Sequence, residues 1–219
     1  MKKKCLNCKL VNFADSNECI RCHSELIEVL TSTGQKKSLF SKVIKRATIF
    51  VFVCIFSILG FYLSMIFTSK PLSFDEKQIV NKAIAILDEK GFSNEVFKLN
   101  YLTSFRGNDH WLNASVEKES AYASTNFPFE IMTIYPDFFR FSADDTERAA
   151  ILLHEAKHLE GKDEKEAYKF VWENRQKLGW TKETYSNSAV WQSVRKLTKE
   201  YAPELFVCDF NNFGDCTEN

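Results

Sequence analysis

Residues Ala47 to Thr68, ATIFVFVCIFSILGFYLSMIFT, run for 22 positions without a charge. As a helix this run reaches roughly 33 Å, enough to cross a bilayer. It is too long for most buried core helices. It also starts too late for a cleavable signal peptide, and no A-x-A site follows it. The expectation is one transmembrane helix over 47–68. A short part of the chain then lies on one side of a membrane, and residues 69–219 on the other.

The flanks orient the span. Lys36, Lys37, Lys42, Lys45 and Arg46 precede it closely, whereas Lys70, Lys77 and Lys82 follow it among Asp75 and Glu76. The positive-inside rule places the N-terminus in the cytoplasm and the C-terminal part in the periplasm or outside the cell. The chain carries 29 basic and 29 acidic residues. A zero net charge argues against bulk nucleic-acid binding, and the length allows one ordinary folded domain with appendages.

The cysteines divide along the same line. Cys5, Cys8, Cys19 and Cys22 lie on the expected cytoplasmic side, where thiols stay reduced and bind metal. They form two C-x-x-C pairs, each offering two thiolates from one tight turn. Four thiolates close a tetrahedral zinc site and leave no open position for catalysis. Cys54 falls in the span, where a thiol packs as a small apolar group. Cys208 and Cys216, with Asn211, Asn212 and Gly214 between them, form a disulfide candidate on the oxidising side.

Residues 5–22 resemble the short bacterial zinc-ribbon that opens many membrane proteins, C-P-x-C-G-x-x-N followed by C-x-x-C-G. The four cysteines, Asn12 and the trailing Glu25-Leu26 match it, while Leu6, Lys9 and His23 replace its Pro and two Gly. The resemblance implies a ribbon over 1–28 with a structural or docking role and a cytoplasmic protein partner. His23 is an additional histidine there, read as exposed. Residues 29–46 read as a basic polar linker, with Thr31 to Gln35 at its centre.

Beyond the span, Ser73-Phe74-Asp75-Glu76 is a capping box. Ile79, Val80, Ala83, Ile84 and Leu87 mark the apolar face of the helix it opens, and Gly91 ends that helix. Glu95–Leu102, Trp111–Ala123 and Phe127–Tyr135 read as strands, broken by Arg106-Gly107-Asn108-Asp109 and by Pro128, with Pro136-Asp137 closing the last. Ser142-Ala143-Asp144-Asp145 announces a helix over about 145–160, whose N-terminal half, Ala149 to Leu153, is strongly apolar. Trp172, Trp180 and Trp191, with Phe170 and Val171, read as helix-packing core. Residues 181–202 read as one amphipathic helix, begun by Thr181 and stopped at Pro203.

The helix over 145–160 carries His154-Glu155-Ala156-Lys157-His158, which uses two of only four histidines in the chain. Residues four apart share a helix face, so both imidazoles can grip one metal ion. Glu155, one step round, can act as general base on a water at that metal. On a straight helix the next positions of the histidine face are Gly161 and Lys165, and neither binds metal. The chain must therefore break, and Gly161 permits it. Asp163 and Glu166 form a capping box for a new helix. Glu164 has no such task and is the preferred third ligand, with Asp163, Glu166 and Glu173 as alternatives.

The stretch ILLHEAKHLEGKDEKEAYKF, 151–170, resembles the zincin metallopeptidases. His154 and His158 match the paired zinc ligands and Glu155 the catalytic glutamate. Gly161 and Glu164 stand at the spacing of the metzincin turn glycine and third ligand, although that ligand is usually His or Asp. Glu164-Lys165-Glu166-Ala167 also resembles the E-x-E-A run of membrane-bound gluzincins, with Tyr168 where an Asp follows. The resemblance implies an α+β, zincin-like external domain over 69–219. It further implies a catalytic zinc besides the structural one, a peptide or protein substrate, and Phe129–Tyr135 as the strand that pairs with it. Tyr168 is the candidate oxyanion donor. Two other classes compete: a non-enzymatic sensor or envelope-assembly protein whose external metal is structural, and a peptidoglycan- or partner-binding module without metal.

Overall fold

The computed structural model describes residues 2–13, 15–26, 39–112 and 121–206. Cys208 and Cys216, and with them the disulfide expectation, lie outside the described residues, as does the centre of the linker. The chain divides into two compact units, Met1–Ser57 and Ile58–Asn219.

In the first unit β1 (Lys2–Lys4) and β2 (Val11–Phe13) pair antiparallel, with Lys3 opposite Asn12. Cys5 and Cys19 are buried here with Leu26. Helix α1 (Leu39–Thr68) follows. It begins inside the stretch read as linker, so only its later part is the uncharged run. It is long and apolar enough to cross a membrane, and just 6% of its most apolar window is buried.

The second unit is mixed α+β. Helix α2 (Phe74–Glu89) starts on the expected capping box: Ser73 Oγ accepts from Glu76 N–H, and Ser73 N–H donates to Glu76 Oε2 at 2.7 Å. Its buried face is Val80, Ala83, Ile84 and Leu87, and Gly91 turns the chain at φ +75°. Next, Ser93–Tyr101 is helix α3, where a strand over Glu95–Leu102 was expected. The adjacent Val96 and Phe97 look strand-like, but Phe92, Val96 and Leu99 fall on one helical face and are buried. Glu95 is buried with them and meets Lys157 of the motif helix at 2.5 Å.

The sheet is small. Strands β3 (Ser104–Arg106), β4 (Ala123–Asn126) and β5 (Ile131–Ile134) lie in the order β3-β5-β4, with β3 parallel and β4 antiparallel to β5. The expected strand over Phe127–Tyr135 is therefore shorter, that over Trp111–Ala123 meets β4 at Ala123 alone among the described residues, and β3 carries no expectation from the sequence. Trp111 and Leu112 lie in a turn, and residues 127–130 turn between β4 and β5, with Glu130 at φ +50°. Pro136 opens the short helix α4 (Pro136–Arg140), a position that suits its missing N–H.

Helix α5 (Asp145–His158) carries the histidines at its C-terminal end. Ala149 to Leu153 are buried and pack against α2 and β4. Helix α6 (Glu164–Leu178) then packs back along α5. The last helical stretch is two pieces where one was expected. These are α7 (Lys182–Tyr185) and α8 (Ala189–Tyr201), because Ser188 starts α8 anew by accepting from Trp191 N–H. Trp172, Trp180 and Trp191 meet ring to ring in the core, with centroids 4.8–6.3 Å apart.

One buried carboxylate ties these parts together. Glu147, in the first turn of α5, accepts from Ala143 N–H at 2.8 Å, from Trp180 Nε1–H at 3.2 Å and from Ser188 Oγ. Nearby, Asp144 caps α5 and accepts from Tyr185 O–H at 2.6 Å. Glu147→Ala strands at least two buried donors. It should lower stability by about 2–4 kcal/mol, read as an earlier loss of near-ultraviolet circular dichroism on heating the full chain in detergent.

Candidate metal centres

The four-cysteine cluster is built from two knuckles. Cys5 N–H donates to Leu10 O and Cys19 N–H to Ser24 O, each at 2.9 Å, which turns the chain so that both thiols of a pair point inward. Cys5 Sγ lies 3.5 Å from Cys22 Sγ, and Cys8 Sγ lies 3.4 Å from Cys19 Sγ. A tetrahedron with zinc–sulfur bonds of about 2.3 Å has edges of about 3.8 Å, so the four thiols can hold one ion. Asn12 braces the knuckles: its Oδ1 accepts from Ile20 N–H, and its Nδ2 donates to Leu10 O and approaches Cys19 Sγ at 3.6 Å. Lys9 and His23, which stand where the ribbon pattern has glycine, adopt φ of +59° and +52°. Both turns demand the left-handed conformation, and this chain meets it with side chains that resist it.

The second cluster lies where α5 ends. Gly161 N–H donates to His158 O and Lys162 N–H to Lys157 O, and Gly161 takes φ +74°. This turn brings the first residue of α6 back over the histidine face. His154 Nε2 and His158 Nε2 are 3.1 Å apart. The Glu164 carboxylate sets Oε2 3.2 Å from His154 Nε2 and Oε1 3.4 Å from His158 Nε2. One ligand atom from each of the three residues fits within 4.8 Å of the others. Nitrogen and oxygen ligands about 2.0–2.1 Å from a tetrahedral zinc stand about 3.3 Å apart. The donor set and its spacing therefore suit one zinc ion.

The remaining acids are engaged elsewhere. Asp163 caps α6 by accepting from Glu166 N–H at 2.9 Å. Glu166 does not close the capping box, because its carboxylate pairs with Lys162 at 2.8 Å. Glu173 faces Lys169 at 3.9 Å.

Within the triad, neighbouring side chains shift the protonation of His158 and Glu164. Burial opposes a charge on His158, but hydrogen bonding to Glu164 and the nearby Glu155 charge outweigh it and push the pKa up to about 9. Hydrogen bonds with His154 and then His158 hold the Glu164 carboxyl far below the usual carboxylate range. His158 Nδ1 faces Lys162 O at 2.8 Å; an N–H there fixes the ring and leaves Nε2 as the ligand nitrogen.

Two contacts around this centre, from β4 and α3, carry no sequence signature. Thr125 of β4 donates its O–H to Glu155 Oε2 at 2.7 Å, holding that buried carboxylate beside the triad. Lys157, inside the motif, is buried against Glu95 and lies 3.1 Å from Glu160, pinning α5 to α3. Tyr168 packs on His154 with centroids 4.3 Å apart, and burial followed by the Glu164 and Glu155 charges keeps its phenol protonated. A spacing rule sees only α5 and α6, so contacts from β4 and α3 were out of its reach.

Two cavities meet at the triad. An open groove of about 440 Å³ runs past Ser124, Thr125, Phe127, Glu155, His158 and Lys162. A more apolar cavity of about 250 Å³ lies between α5, α6 and α8, lined by Ile151, His154, Tyr168, Val194 and Tyr201. The strand along the groove is β4, an edge strand among the described residues. The expected substrate strand, β5, is paired on both sides and has no edge to offer.

Comparison with known protein families, with curated proteins and with solved structures returned no match.

Two backbone substitutions test these turns in opposite directions. Lys9→Gly should raise the zinc affinity of a residue 1–28 peptide severalfold, since a left-handed non-glycine residue costs about 1–2 kcal/mol; chelator competition reads it. Gly161→Ala should cost about the same in stability and weaken metal binding at the second cluster, read by zinc titration of the full chain.

Proposed function

We propose that this chain is a single-pass membrane protein whose C-terminal unit is a zinc-dependent peptidase facing the periplasm or the exterior, with a structural zinc-ribbon in the cytoplasm. The observation that carries this reading is the joint placement of three metal donors, a buried glutamate and an edge strand around one groove. His154, His158 and Glu164 would hold the zinc. When bound, it would lower the pKa of an attacking water and polarise a peptide carbonyl.

The rest is the work of the chain's own side chains. Glu155 Oε2 is engaged by Thr125, which leaves Oε1 to accept a proton from the attacking water and return it to the leaving amine. Tyr168, kept as a neutral phenol, is the donor for the developing oxyanion. Strand β4 presents an edge along the groove, where an extended peptide can add by main-chain hydrogen bonds. His158 is held in its liganding orientation by Lys162 O. The basic residues preceding the uncharged run support the orientation, because Lys42, Lys45 and Arg46 lie within the first turns of α1.

The test compares metal content with hydrolysis of a peptide library by the full chain. Glu155→Gln should retain zinc and lose about 10²–10⁴-fold in turnover. His154→Ala and His158→Ala should lose the second zinc, and Glu164→Ala should bind it more weakly. Zinc loss in Glu155→Gln together with full retention in His158→Ala contradicts the ligand assignment. Full zinc occupancy with no cleavage of any peptide favours a structural metal in a non-enzymatic membrane protein.

A further inference from the structure

Within the second unit the last turns of α1 meet β3 and two turns beside the sheet through their side chains. Tyr62 O–H and Ser104 Oγ lie 3.0 Å apart, and Trp111 donates Nε1–H to Ser64 Oγ at 3.1 Å. Phe61 packs against Trp111 and Phe129, with centroids 5.7 and 5.3 Å away. Met65 and Ser69 are buried.

The length of the uncharged run gives these contacts a consequence. Between Arg46 and Phe61 stand residues 47–60, fourteen in all. They rise about 21 Å as a helix, while a bilayer's hydrocarbon is about 30 Å thick. The span needs roughly six residues more, which carries the hydrocarbon boundary to about residue 66. Phe61 then lies about 7 Å below that boundary, and whatever packs on Phe61 lies there with it. The packing side chains suit that depth: Trp111 is 49% exposed, with its ring nitrogen bound at the level of Ser64, and Leu112, Phe127 and Phe67 are also exposed apolar residues. Tryptophan is a preferred residue of the membrane–water interface.

We propose that the second unit is seated in the outer leaflet of the bilayer through the Trp111–Leu112 turn and the 127–130 turn. This rests on α1 spanning a membrane with its N-terminus in the cytoplasm, but not on the peptidase reading. Phe127, in the same turn as Phe129, is exposed and lines the groove, and a side chain added at Gly161 would meet its ring at 3.7 Å. The mouth of the groove therefore opens at the lipid surface, and its occupant is met there.

The test uses the full chain in phosphatidylcholine–phosphatidylglycerol nanodiscs. Trp172, Trp180 and Trp191 are at most 2% exposed, so the difference between wild type and Trp111→Phe isolates Trp111 emission. A nitroxide on the lipid acyl chain near the headgroup should quench that emission several times more strongly than aqueous iodide. Phe127→Trp in the wild-type background should add a second emission with the same preference, and it gives a reading if Trp111→Phe does not fold. Iodide quenching of both, with little nitroxide effect, overturns the seat. Alkaline carbonate extraction separates the two failures. A chain that stays in the membrane while Trp111 and the Phe127→Trp probe are iodide-accessible loses only this inference, whereas a chain released by carbonate loses the span and the seat together.

Discussion

A straight continuation of α5 would set Gly161 and Lys165 on the face of His154 and His158. The chain turns at Gly161 instead, in a backbone conformation that a side chain would resist, and Glu164 arrives opposite both imidazoles. Most of the unit serves to hold the two sides of that turn. Glu147 anchors the first turn of α5 to Trp180 and Ser188, Lys157 fixes its last turns to α3, and the tryptophan cluster locks α6 against α8. Two imidazole nitrogens and a carboxylate this close need a proton or another cation shared among them. The high affinity of His158 for a proton and the low affinity of Glu164 express the same demand.

The parts that local chemistry dictates were legible in the sequence. The uncharged run, the Ser73–Glu76 capping box, the turn at Gly161 and the pairing of cysteines each depend on residues a few positions apart. Misreadings arose where distant contacts decide. Ser93–Tyr101 has strand-like neighbours in Val96 and Phe97, yet it is a helix because Phe92, Val96 and Leu99 find one core face and Glu95 finds Lys157. The resemblance points to Phe129–Tyr135 as the strand beside a peptide, yet β5 within it is the middle strand, and among the described residues the edges are β3 and Ala123–Asn126. Thr125, which holds Glu155, sits thirty residues before it and has no periodic signature.

The two metal clusters answer to different demands. In the N-terminal cluster all four donors are sulfur and Asn12 braces both knuckles, so the donor set is that of a closed site. The second cluster has three donors, sits where two cavities meet and has an ionisable carboxylate beside it. That contrast supports assigning structure to the first and chemistry to the second. The contacts of Tyr62 with β3, and of Phe61 and Ser64 with the 111–112 and 127–130 turns, make the last turns of α1 part of the same unit as the groove.

Every role assigned to α5 and α6 depends on the second cluster holding a metal in the intact protein. X-ray absorption at the zinc edge, on a full chain with Cys5, Cys8, Cys19 and Cys22 replaced by serine, removes the ribbon's contribution and reports the remaining centre alone. The expected result is one zinc per chain, with only nitrogen and oxygen neighbours and the outer-shell scattering of two imidazoles. A chain that retains no zinc, or a zinc whose neighbours include sulfur or lack the imidazole pair, would contradict it.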